Sequence, residues 1–127
     1  MKMLLSEEVI DTISFHASAS YDALVEHLTP VFAMVPDDSR SGFTPEAMIT
    51  MNAISHMVIA AANTAGNKGA SRNEVMIALG RAMRTIVDIN SRGGASGPVF
   101  AAFNEGFGAT ETITVEAMTS DTPGTPN

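Results

Sequence analysis

The chain has no cysteine and no tryptophan, one tyrosine, and only 7 Lys and Arg in 127 residues. Without cysteine there is no disulfide, no thiolate nucleophile and no Cys-based zinc site. The redox compartment is left open for the same reason. Cations are scarce beside 14 Asp and Glu, and the formal net charge is −7. Phosphate backbones need cationic partners, so this balance argues against nucleic-acid binding. It favours solubility and leaves basic protein surfaces as partners.

Uncharged runs are scarce as well. The exception is 47–65, which has no formal charge and approaches the roughly 20 residues of a membrane span. It contains Asn52, Ser55, His56 and Asn63. At about 100° per residue, Asn52, His56 and Asn63 fall within about 40° of one another. Ala53, Ile54, Met57, Val58 and Ala61 are placed on the opposite side. Such a polar stripe would not face lipid, so no membrane span is expected. The start, MKMLLSEEV, is too short in apolar residues for a signal peptide. The expected location is the cytoplasm, or a particle assembled there.

Methionine, by contrast, is plentiful, with 9 in the chain. At helical spacing it reads as core filling. Helix signals recur. Ser6-Glu7-Glu8 fits an N-cap and an acidic first turn. Val9, Ile10, Ile13 and Ala17 then share a face. The stretch ASAS (17–20) is expected to weaken or break this helix. A second helix restarts after Ser20 with Tyr21, Leu24, Val25 and Leu28. Pro30 ends or kinks it, or opens a short turn over 31–34. Residues 36–42, PDDSRSG, read as a loop.

The best-supported elements follow. Thr44-Pro45-Glu46 starts a helix that runs to about Ala65, with Gly66 as a left-handed stop. Ser71-Arg72-Asn73-Glu74 fits a capping box. The next helix runs to about Ile89, with Val75, Leu79, Ala82, Met83, Ile86 and Ile89 clustered on one side. Arg81, Arg84 and Asp88 lie opposite them, with Arg84 and Asp88 one turn apart. The short connection predicts an antiparallel αα-hairpin over about 44–89.

After this hairpin, SRGGASGP (91–98) reads as a glycine-rich hinge. Pro98 opens a short helix bearing Val99, Phe103 and Phe107. Residues 110–118 alternate, with Ile113, Val115 and Ala117 on one side, which is strand periodicity. A lone strand needs a partner in its own chain or another. The last residues, SDTPGTPN, read as a tail. The expected fold is therefore mainly α: a small helical bundle over 1–108 built on the hairpin, followed by an extended or single β-strand arm at 109–127.

No catalytic motif survives. The glycine loop lacks the Lys-Ser or Lys-Thr of a phosphate-binding P-loop. Pro98 breaks the hydrolase elbow pattern around Ser96. Arg92, Gly93 and Gly94 remain a candidate anion nest. His16, His27 and His56 show no metal-ligand spacing, so no metal and no cofactor is expected. Carboxylate pairs Glu7-Glu8 and Asp37-Asp38 are explained by capping and turning. Asn52, His56 and Asn63 are candidates for a polar seam or interface, together with Ile113 and Val115. Apolar residues beyond one face, Met48, Met76 and Ile77 among them, point to burial against another molecule. The expected function is non-enzymatic: a self-associating interaction or assembly protein, in the size and composition class of accessory components of viral or bacterial particles. Its partners would be itself or other protein subunits. The alternative is a small-ligand binder with its site at a subunit interface.

Overall fold

The structure is a computed structural model, and the described residues are 4–91 and 96–108. They form helices α1 (Glu7–Ala33), α2 (Pro45–Asn67), α3 (Arg72–Asn90) and α4 (Ser96–Phe107), with a short 3-10 turn at Asp37–Ser39. The protein is mainly α, and there is no strand among the described residues. The expected arm at 109–127, with Ile113 and Val115, lies outside them. Two compact units are present, Met1–Thr64 and Ala65–Asn127. The two helices of the expected hairpin lie largely on opposite sides of that division.

In the first unit, Ser6 caps α1: its hydroxyl accepts from the Val9 N–H at 3.2 Å. The expected break at 17–20 does not occur, and α1 runs unbroken for 27 residues. Alanine is the best helix former, and serine costs only a few tenths of a kcal/mol more. No glycine or proline interrupts the stretch. The apolar face also stays in phase across it, from Ile10 and Ala17 to Tyr21, Leu24 and Leu28. Pro30 lies inside the helix and does not end it. Its missing N–H deprives only the carbonyl of Glu26, an exposed residue close to the helix end. The expected separate turn over 31–34 is likewise largely the last turn of α1.

The loop after α1 is closed by one side chain. Arg40 donates from Nε to the Phe43 carbonyl at 2.8 Å and from Nη1 to the Val35 carbonyl at 3.0 Å. Its Nη2 reaches Asp37 at 2.7 Å. The Arg40 side chain is 12% exposed and that of Asp37 95% exposed. Water screens the ion pair, so the two carbonyl bonds carry the closure. Arg40→Lys cannot reproduce this three-way fork. We expect Arg40→Lys to cost nearly as much as Arg40→Ala, about 1–2 kcal/mol, and Asp37→Asn less than about 0.5 kcal/mol. Urea denaturation followed by circular dichroism measures all three.

Thr44 starts α2, its hydroxyl accepting from the Ala47 N–H at 3.1 Å. The core of this unit is small. Leu28 of α1 meets Ile49 and Ala53 of α2, with Tyr21, Leu24, Val25 and Phe32 packed against them. Tyr21 Oη lies 3.4 Å from Thr50 Oγ1 beside this contact.

In the second unit, α2 ends later than expected. Gly66 stays helical, and Gly69 takes the positive φ of 105°. The Gly69 N–H reaches the Gly66 carbonyl at 3.1 Å, and the Ala70 N–H reaches the Ala65 carbonyl at 3.0 Å. These two bonds are a Schellman motif, and its geometry places the left-handed residue at Gly69.

The capping box of α3 is present. The Ser71 N–H donates to Glu74 Oε1 at 2.7 Å, and the Glu74 N–H donates to Ser71 Oγ at 3.1 Å. The Glu74 carboxyl is held below its usual range, first by the Ser71 backbone N–H and then by the Ser71 side chain. A carboxylate with a lowered folded pKa adds stability above its unfolded pKa, and the gain is lost as pH falls through the folded value. NMR titration should therefore find Glu74 below the ordinary glutamate range. Ser71→Ala should raise it and cost about 1 kcal/mol in helix stability.

Along α3, the half-buried residues are Val75, Leu79, Met83 and Val87, at four-residue steps. The expected cluster is corrected at three places: Ala82, Ile86 and Ile89 are exposed. Val87 takes their place because four-residue steps continue the buried stripe. Arg84 Nε bonds both Asp88 oxygens at 3.1 Å, as the one-turn spacing predicts. Helix α4 touches α3. The Phe100 and Phe103 rings stack at 6.2 Å, and those of Phe103 and Phe107 at 6.0 Å.

Candidate functional site

The polar stripe of α2 is where the sequence places a candidate site. The structure puts its members in three different environments. Asn52 is 5% exposed, in the contact of α2 with α1. His56, one turn on, is half-buried, and Asn63 is exposed. Ile49 explains this order. It shares a face with Asn52 and His56, and it packs with Ala53 on Leu28. The side carrying Asn52 therefore turns toward α1, while Ile54 on the other side is exposed.

The Asn52 amide is held within its own helix. Its Nδ2 donates to the Met48 carbonyl at 2.8 Å. Among the described residues, no protein donor reaches its Oδ1. The arrangement is a polar contact in a helix pair. Oδ1 only accepts, Nδ2 keeps a second N–H, and the amide has no titratable proton, so Asn52 is not an acid–base group.

His16 is exposed and lies edge-on to Phe15, with ring centroids 5.4 Å apart. His27 is exposed as well. No group of three or more His, Asp or Glu that could hold a metal ion occurs among the described residues. The start of α1 carries an open depression lined by Glu7, Glu8, Asp11, Thr12, Phe15 and His16. All six come from a single helix, so nothing encloses a ligand there. Arg92, Gly93 and Gly94 lie outside the described residues. No helix among the described residues is long and apolar enough to cross a membrane.

The chemistry of this surface lies instead in uncovered apolar side chains. On α1 and just before it, Leu5, Val9 and Ile13 are exposed at four-residue steps. They lie to one side of the line of Ile10, Ala17, Tyr21, Leu24 and Leu28 that leads to the contact with α2. The core contact uses only Tyr21 to Phe32. On α3, Met76, Ile77, Ile86 and Ile89 are exposed.

Charge divides between these helices. Helix α1 holds Glu7, Glu8, Asp11, Asp22 and Glu26, with no Lys or Arg. Helix α3 holds Arg72, Arg81 and Arg84 against Glu74 and Asp88. Arg84 is engaged by Asp88, while Arg72 and Arg81 enter no ion pair among the described residues. Sequence periodicity assigned Val9 and Ile13 to an inward face. Their exposure follows from angular position: at about 100° per residue Val9 lies about 100° and Ile13 about 60° from Leu28, whereas Ile10 and Ala17, in line with Leu28, are half-buried. No protein-family model matches the chain, and no curated protein or solved structure matches it.

Proposed function

We propose that this protein is a non-enzymatic interaction or assembly protein that self-associates, working as an accessory or structural component of a larger viral or bacterial particle. The carrying observation is the set of uncovered apolar side chains on helices of both units, Val9 and Ile13 on α1 and Ile77, Ile86 and Ile89 on α3. Single exposed apolar residues are ordinary, but rows at helical spacing mark interaction surfaces. Nothing comparable favours the small-ligand reading, because Asn52 is bonded inside its own helix. Sedimentation velocity on the full chain at micromolar concentration tests the proposal. The expected result is a mass above that of one chain, rising with concentration. A strict monomer that recovers no partner overturns it.

A further inference from the structure

We infer that the phenylalanine stripe of α4 is a docking site for the chain's own segment 113–117, which folds back along the helix in extended form. The stripe is Phe100, Phe103 and Phe107, within about 60° of one another around the helix. Their rings stack in sequence at 6.2 Å and 6.0 Å. Phe103 is half-buried, whereas Phe100 is 53% and Phe107 81% exposed. A continuous ladder of rings with two of the three uncovered marks a contact surface.

Spacing and reach select the occupant. Ile113, Val115 and Ala117 alternate with Thr112, Thr114 and Glu116. In an extended segment every second side chain points the same way, about 6.4–6.8 Å from the last. That repeat matches the ring spacing, so Ile113 falls on Phe107, Val115 on Phe103 and Ala117 on Phe100. Phe100 and Phe107 are about 10.5 Å apart along the helix axis, and residues 113–117 extended span about 13 Å. Residues 108–112 supply the reversal, an ordinary length for such a loop. Gly108 begins it: its N–H donates to the Asn104 carbonyl at 2.8 Å, and a Cβ there would meet that oxygen at 3.2 Å. Charge does not oppose the contact, because Glu105 lies about 140–160° around the helix from the three rings. A connection this short holds the segment at an effective concentration on the order of millimolar, which favours docking within one chain over docking on a neighbour. The inference does not depend on self-association. It withdraws the α4 stripe from the surfaces offered to other molecules.

The absence of tryptophan allows a direct test. Val115→Trp and Thr114→Trp are made separately in the full chain, and helicity is checked by circular dichroism. The Val115→Trp protein should show blue-shifted fluorescence and protection from acrylamide quenching. The Thr114→Trp protein, with its probe on the opposite side of the segment, should emit like tryptophan in water. Adding Phe107→Ser to Val115→Trp changes an exposed ring. It should return the emission to the water value while helicity is kept. Water-like emission from the Val115→Trp protein would overturn the inference. Equal shifts at the two probe positions, or a shift that survives Phe107→Ser, would overturn it as well. A blue shift that appears only as protein concentration rises would overturn it in favour of docking on a second copy.

Discussion

Leu28→Ala should lower the unfolding free energy of the first unit by about 2–3 kcal/mol. Among the described residues of this unit, Leu28 is one of three buried apolar residues, with Ile49 and Ala53. Truncating it removes the transfer free energy of its methyl groups and leaves a gap between two rigid helices. The expected loss is at the lower end of the Leu→Ala range because the core is thin and partly open, which lets neighbours and water relax into the gap. Val31→Ala is the control: Val31 lies on the same helix and is 48% exposed. It should change stability by less than about 0.5 kcal/mol. Urea denaturation followed by circular dichroism gives both numbers. Equal effects at the two positions would mean that the contact of α1 with α2 does not hold the unit.

Asn52→Asp should be at least as damaging at neutral pH, by about 3 kcal/mol. The substitution keeps the size of the side chain and places a carboxylate at a position 5% exposed to solvent. It also replaces the donor Nδ2, so the bond to the Met48 carbonyl becomes a repulsion between two oxygens. Burial raises the folded pKa of such an aspartate above its unfolded value of about 3.9. The penalty is therefore smallest below that unfolded pKa and grows as pH rises to the folded value. Stability of the variant, measured from pH 3 to pH 7 against the parent chain (about four units of scan), should diverge progressively toward neutral pH. Asn52→Leu provides the contrast. It removes the buried polar group altogether, and replacing such a group by an apolar one of similar size is close to neutral. A flat pH dependence for Asn52→Asp would place residue 52 in water and undo the assignment of the inward face of α2.

Local chemistry was legible in the sequence wherever both partners lie within about four residues. Thr44 with Pro45, Ser71 with Glu74, and Arg84 with Asp88 all read correctly, because capping and one-turn pairs depend on the local helix alone. The absence of cysteine excluded its chemistry from composition alone. Breaks were less legible. The stretch ASAS looked like an interruption, yet Tyr21, Leu24 and Leu28 keep the apolar phase set by Ile10 and Ala17, so burial further along extends one helix through it. Gly66 and Gly69 compete for the helix stop, and only the bonds from Gly69 and Ala70 identify the residue with positive φ.

Which face turns inward was decided by tertiary structure. Periodicity gave α2 a polar stripe and an apolar side, and left open whether the stripe faces water or another helix. The buried surface of α2 straddles the two: Ala53 from the apolar side packs with Ile49 on Leu28, and Asn52 beside them is carried against α1. A sequence sets the angular position of each side chain, but whether a face is covered depends on how far the partner helix extends along it. Val9 and Ile13 lie off the line of Ile10, Ala17 and Leu28 and are exposed, while Asn52 shares a stripe with exposed Asn63 and is buried.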